Sequence, residues 1–258
     1  MAGLPRSLSE QTTVFCDFDG PIVDVSDRYY STYRLALTDT DRFYSEFSPQ
    51  QQVEKNLPSP VLTKEQFWHM KQNRIPDREI AKQSGLSDEK IDFFIARVVK
   101  IVNRPDLVQQ DKLQPGVSWA LNLLRTQGIK LILVTLRDQL EATYILEQHG
   151  LRNLFTGIYG TDDSQAAYQN YTEVKTYLLD RAMKDHLPSA ANPHDSWMIG
   201  DTEADILAGT AMGIPTIGLT CGIRSYRQLS QLQPTSLEPD LLSAAHRLVG
   251  MSCLQVCC

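Results

Sequence analysis

The stretch Thr13-Val14-Phe15-Cys16-Asp17-Phe18-Asp19-Gly20-Pro21 places two carboxylates directly after a short apolar run. Four strand-forming residues followed by turn formers predict a buried strand over Thr13–Cys16. The aspartates then lie at the carboxyl end of a strand, where open parallel sheets place their ligands. Two carboxylates so close repel, and each tends to stay protonated unless a cation lies between them. An all-oxygen donor set of this kind suits a hard cation such as Mg²⁺. Gly20 lets the backbone turn sharply and approach a ligand. By itself such a stretch can also be a surface turn, so its meaning depends on the rest of the chain.

Four more apolar runs predict strands: Ile129–Thr135, Phe155–Tyr159, Trp197–Ile199 and Pro215–Leu219. Stretches of helical length separate the later ones, an alternation that predicts an α/β fold. Three helix starts stand out. Asp138 with Glu141 forms a capping signal for a helix closed by Gly150. Thr172 can cap a helix to about His186, and Thr202 opens another that Gly213 ends. The expected architecture is a Rossmann-like parallel sheet flanked by helices.

One stretch breaks the alternation. Between Asp24 and Lys112 no second sheet strand is visible; the sequence predicts polar helices over Arg28–Leu37, Lys64–Asn73, Asp77–Gln83 and Asp88–Asn103. Pro58, Pro60, Pro76 and Pro105 mark turns. A simple crossover needs far fewer residues, so residues 25–112 are expected to form an inserted all-helical domain after strand one. Residues 1–24 and 113–258 then form the core, which resumes after Pro115-Gly116 with a helix through Leu124 that Gly128 stops.

A chain of 258 residues fits one large domain, or one domain and an insertion. The formal charge of −6 argues against a nucleic-acid partner. No apolar run approaches the ~20 residues of a membrane helix, and Met1–Thr12 lacks the apolar region of a signal peptide. The expected location is the cytoplasm, with no membrane partner. Cys16 and Cys221 read as small buried hydrophobes. Cys253, Cys257 and Cys258 lack the spacing of a zinc site and read as exposed thiols on the tail.

Three further pieces give the first stretch its meaning. Thr135 ends the second strand in Leu133-Val134-Thr135-Leu136-Arg137, and a hydroxyl there can hold a phosphate oxygen. Lys175 lies in the first turn of a helix, where the macrodipole disfavours a cation. A cation placed against local preference is a candidate anion ligand. Gly200-Asp201-Thr202-Glu203-Ala204-Asp205 sets Asp201 at a strand end and Asp205 one helical turn later on the same side, while Glu203 reads as an ordinary first-turn acid.

Asp17-Phe18-Asp19-Gly20, Thr135, Lys175 and Gly200-Asp201-x-x-x-Asp205 resemble, in order and spacing, the four signature motifs of the haloacid dehalogenase superfamily. The resemblance spans about residues 13 to 222. It is nearest to the phosphoglycolate-phosphatase-like and beta-phosphoglucomutase-like branch, whose helical cap the 25–112 stretch resembles. Pro21 departs from the small residue usual in these members. Thr135-Leu136-Arg137 departs from a common Asn-Lys, and Arg137 can either contact substrate or cover the site.

The resemblance implies a Mg²⁺-dependent phosphatase of a small phosphorylated metabolite. Asp17 would be the nucleophile, forming an aspartyl-phosphate, and Asp19 the general acid and base. Asp17, the Asp19 backbone carbonyl and Asp201 would hold Mg²⁺, with Asp205 completing or orienting that shell. Thr135 and Lys175 would bind the phosphoryl group, Lys175 repaying its cost against the helix dipole only when phosphate is bound. Superfamily dehalogenases and phosphonatases lack an aspartate at the Asp19 position, so the chain resembles the phosphotransferases. A sugar phosphomutase using the same aspartates, and a catalytically silent binding protein on the same fold, are the alternatives. Specificity would fall to the cap, where Lys71 and Arg74 in Gln66-Phe67-Trp68-His69-Met70-Lys71-Gln72-Asn73-Arg74 are candidate substrate contacts; equally, Trp68 can pack the cap's own core with Lys71 and Arg74 in solvent. Substrate identity and oligomeric state are not legible.

Overall fold

The computed structural model describes residues 12–47, 61–163, 166–188, 192 and 195–253. The expectations for residues 1–11 and for the tail cysteines fall outside the residues and side chains described. Among the described residues the strands are β1 (Thr13–Cys16), β2 (Val23–Asp24), β3 (Lys112–Leu113), β4 (Lys130–Asp138), β5 (Gly157–Thr161), β6 (Ser196–Gly200), β7 (Thr216–Leu219) and β8 (Ser236–Glu238). Six of them form one sheet in the order β5-β4-β1-β6-β7-β8, every neighbouring pair parallel. Strand order reverses at β1, between β4 and β6, and that switch point is where such sheets open a crevice beyond their carboxyl ends.

The chain divides into two compact units, one of Met1–Asp24 with Leu113–Cys258 and one of Val25–Lys112. The second unit holds α1 (Ser26–Phe47), α2 (Lys64–Gln72), α3 (Asp77–Gln83), α4 (Asp88–Ile101) and α5 (Pro105–Val108). Its centre is aromatic: the Tyr33 ring stacks on Phe67 at 4.8 Å and meets Phe94 edge-on at 6.3 Å. The Tyr33 hydroxyl is satisfied by Ser84 at 2.7 Å, as a buried phenol requires. Arg28 is also buried there and pairs with Asp111 at 3.1 Å.

The sheet unit holds α6 (Val117–Thr126), α7 (Gln139–Gln148), α8 (Ala166–Gln169), α9 (Thr172–His186), α10 (Glu203–Ala211), α11 (Tyr226–Ser230) and α12 (Leu241–Cys253). Phe15, Ile132, Val134 and Met198 of the strands pack against Leu178, Leu179 and Ala182 of α9 and Ala204 and Ala208 of α10. Each large apolar side chain so buried contributes roughly 1.5–3 kcal/mol, which fixes the ends of β1, β4 and β6 side by side. Asp138 caps α7 as expected, its Oδ1 accepting from the Glu141 amide at 2.9 Å.

Three expectations are corrected. Thr172 is the first helical residue of α9 and Tyr171 is its N-cap, without a side-chain cap bond. Beta strand β4 runs on to Asp138, past the end expected at Thr135. An unexpected sixth sheet strand, β8, has no apolar run because its residues are only half buried at the sheet edge. No helix among the described residues is long and apolar enough to cross a membrane.

Candidate active site

Asp17 leaves β1 with its amide bonded to the Ile199 carbonyl of β6 at 2.9 Å. The chain then turns: the Ile22 and Val23 amides return to the Phe18 carbonyl, and Gly20 takes φ 98°. A Cβ on Gly20 would lie 2.2 Å from the Asp201 carboxyl. Glycine is therefore required there twice over, by the backbone angle and by the close approach. Asp201 follows β6 directly, and Asp205 sits in the first turn of α10.

Lys175 joins these groups. Its side chain is fully buried; Nζ lies 2.7 Å from Asp17 Oδ1 and 2.8 Å from Asp205 Oδ1, and donates to the Val134 carbonyl at 3.0 Å. The sequence predicts that the cost of Lys175 against its helix dipole is repaid only when phosphate is bound; in the structure Asp17 and Asp205 already repay it. Burial alone would lower its pKa, but Asp17 and Asp205 outweigh that and hold the ammonium above its ordinary value. The other Asp205 oxygen, Oδ2, accepts from the Thr202 amide at 3.0 Å and the Thr202 hydroxyl at 2.7 Å.

One ammonium does not neutralise the cluster. Burial, then the Asp205 charge, pushes the Asp17 carboxyl up to about 7 despite Lys175. Burial, then Asp17 and Asp205, pushes Asp201 well above the usual carboxylate range. Ligand oxygens of Asp17, Asp201 and Asp205 all lie within 4.8 Å of one another. Asp201 Oδ1 is enclosed yet makes no hydrogen bond. An all-oxygen, buried, over-negative set with a free carboxylate oxygen fits a hard divalent cation.

Thr135 is buried at the end region of β4, its Oγ1 accepting from the Arg137 amide at 3.1 Å. Arg137, expected either to contact substrate or to cover the site, has a side chain only 2% exposed, with Nη2 2.8 Å from Asp19 Oδ1. Lys71 and Arg74 belong to the helical unit. Lys71 pairs with Asp77 at 2.9 Å, Arg74 is exposed with φ 57°, and the half-buried Trp68 meets the Tyr29 ring edge-on at 6.3 Å.

A further set escapes the sequence reading. Beyond β7 the chain folds over Asp201, the Ile223 amide donating to its Oδ2 at 2.5 Å. A Cβ on Gly222 would fall 2.0 Å from that oxygen. The loop is held down by Arg224, whose Nε and Nη2 grip Glu203 at 2.7 and 3.0 Å. Glu203 is thus not an ordinary exposed first-turn acid: burial would raise its pKa, but Arg224 prevails and lowers it. The available signal is position, since Gly222-Ile223-Arg224 follows the carboxyl end of a parallel strand.

A family model for haloacid dehalogenase-like hydrolases matches residues 14–219. The chain belongs to this family. It is similar to a Dickeya dadantii protein named Probable phosphatase IndB, 26% identical over 245 residues that cover 93% of this chain and 95% of that protein. A phosphoglycolate phosphatase of Vibrio parahaemolyticus is 30% identical over 144 residues, 56% of this chain and 59% of that protein. The phosphoglycolate phosphatases that it matches are spanned over only about half their length. A solved haloacid dehalogenase-like family hydrolase from Streptococcus pneumoniae superposes with a TM-score of 0.60 at 20% identity, over 92% of this chain and 98% of that one, a likeness of fold. In this haloacid dehalogenase-like hydrolase, the sheet's switch point and the carboxylate cluster coincide.

Proposed function

We propose that the chain hydrolyses phosphoric monoesters of small metabolites, with Asp17 as nucleophile. The observation that carries this reading is the Asp17 carboxylate, buried at a strand end and held at 2.7 Å by a buried ammonium that Asp205 also grips. Such a carboxylate is oriented and partly desolvated, the condition for attack on phosphorus. Phosphatase relatives, one of them matched along most of both chains, support the same reaction class.

In the first half-reaction an Asp17 oxygen attacks phosphorus and the bond from phosphorus to the ester oxygen breaks. Asp19, protonated, gives its proton to the departing alkoxide. In the second, Asp19 takes a proton from water as the water oxygen attacks the aspartyl-phosphate, releasing inorganic phosphate and restoring Asp17. Lys175 holds Asp17 in place and, with Thr135, meets the phosphoryl oxygens. Asp17, Asp201, Asp205 and the Asp19 carbonyl are the residues that would hold Mg²⁺, which supplies positive charge against the anionic substrate.

Phosphate release from monophosphates of sugars, glycolate and glycerol tests the reading. The expected result is inorganic phosphate in Mg²⁺ and loss of nearly all turnover in excess EDTA, restored by added Mg²⁺. Isomerised sugar phosphate without free phosphate, or full rates in chelator, would contradict it.

The helical unit, as a cap, is the proposed source of specificity, because phosphoryl chemistry is common to all monoesters and something must contact the leaving group. Its connections near Asp24–Ser26 and Asp111–Pro115 would act as hinges, and Lys71 and Arg74 would meet an anionic substrate. Alanine at Lys71 and Arg74 is then expected to reorder a panel of substrates while sparing para-nitrophenyl phosphate. An unchanged ranking would remove these two residues from the specificity site.

A further inference from the structure

Beta strand β4 pairs with β1 up to Leu133 opposite Cys16, then continues to Asp138 with a shift of register after Val134. It therefore overhangs the Asp17–Pro21 turn. Two residues of the overhang on the same side are Thr135 and Arg137, tied together by the Arg137 amide and the Thr135 hydroxyl at 3.1 Å. The Arg137 guanidinium lies 5.2 Å over the Phe18 ring and puts Nη2 2.8 Å from Asp19 Oδ1. Its Nε is 3.9 Å from Glu141 Oε2 on α7. Both members of the Arg137–Asp19 pair are buried, at 2% and 8% side-chain exposure.

A buried arginine clamped by a ring face, a second acid and its own backbone anchor has little freedom left. What it restrains is the Asp19 carboxyl, whose Oδ1 it holds at 2.8 Å as an ion pair. We infer that Arg137 is the positioning residue that orients Asp19 for proton transfer, and that it does not select substrate. This rests on the proposed role of Asp19 and extends it. A proton donor acts only when its oxygen lies within hydrogen-bond reach of the departing atom, so a carboxyl released from Arg137 swings among rotamers and spends less time there. Attack by Asp17 does not depend on that orientation.

The distinguishing readout is the leaving group. Alkoxides need a proton as they depart; para-nitrophenolate does not. A series of substituted phenyl phosphates, nearly constant in shape, completed by an alkyl phosphate, separates proton donation from substrate fit. For Arg137→Met, kcat/KM on the alkyl ester is expected to fall ~10²-fold, with a much smaller fall on para-nitrophenyl phosphate and a steeper dependence on leaving-group pKa across the series. Phosphoenzyme also accumulates on the aryl ester, because the second half-reaction needs Asp19 as base. Arg137→Lys keeps the charge without the planar fork and is expected to give an intermediate alkyl-to-aryl ratio. Should the Met variant not fold, the Lys variant carries the test alone. A wild-type ratio in the folded variants overturns the inference, as does a loss that follows substrate size or charge and not leaving-group pKa. Failure of the parent reading looks different: wild-type protein would turn over neither ester.

Discussion

Asp17→Asn is expected to lower turnover by on the order of 10⁴-fold or more while leaving the protein folded. An amide oxygen does not displace an alkoxide from phosphorus, and removal of a covalent nucleophile is among the largest single losses an enzyme shows. The fold survives because the substitution is nearly isosteric and Lys175 keeps Asp205 at 2.8 Å. It also removes one of the charges that push Asp201 up, which offsets part of the lost pairing. Phosphate release and a thermal melt on the same preparation check both halves. Steady turnover by a well-folded Asp17→Asn protein would sink the mechanism.

Lys175→Met has the second largest expected effect, and its sign on stability differs from what the sequence suggests. A lysine opposing its own helix dipole predicts a variant as stable as wild type or slightly more so. In the structure the ammonium is fully buried between Asp17 and Asp205, so methionine leaves two buried carboxylates facing each other. Breaking a buried pair in this way costs about 3–5 kcal/mol, far beyond the few tenths gained from the dipole. Catalysis falls as well, by roughly 10²–10³-fold, the size of effect seen when one preorganised charge is lost.

The pH dependence follows from the carboxyls. Asp17 already has its pKa raised to about 7 with Lys175 present to lower it, and without the ammonium it rises further. A carboxyl raised in the folded state stabilises fully below its unfolded pKa of roughly 4 and loses that contribution as pH rises through the folded value. The deficit of Lys175→Met is therefore larger at pH 8 than at pH 4. Urea melts in EDTA at both ends of that range measure it. An unchanged midpoint at pH 8 would show that the pairing carries no stability.

Much of this architecture was legible in sequence because buried parallel strands announce themselves as continuous apolar runs. Phe15, Ile132, Val134 and Met198 all lie in such runs and meet in one core. Beta strand β8 was not legible, since an edge strand of half-buried residues needs no such run. Within the site, Asp17, Lys175, Asp201 and Asp205 stood out by position: each sits at a strand end or a helix start, and Lys175 breaks a local rule. Their pairing was hidden. Local sequence shows that Lys175 opposes its dipole, but not that two carboxylates from other elements compensate it. Arg224 and Glu203 were hidden for the same reason, looking separately like ordinary surface charges. Arg137 was visible but ambiguous, because only the overhang of β4 shows that its guanidinium ends on Asp19.

In the proposed mechanism the phosphoryl group is transferred to Asp17 itself. Acid quenching during turnover of para-nitrophenyl phosphate in Mg²⁺, followed by peptide mapping by mass spectrometry, tests it directly. The expected result is one phosphoryl group on the peptide containing Asp17, absent from Asp17→Asn and lost on chase when substrate is exhausted. Turnover with no phosphorylated peptide, or with the phosphoryl group on any other residue, would contradict it.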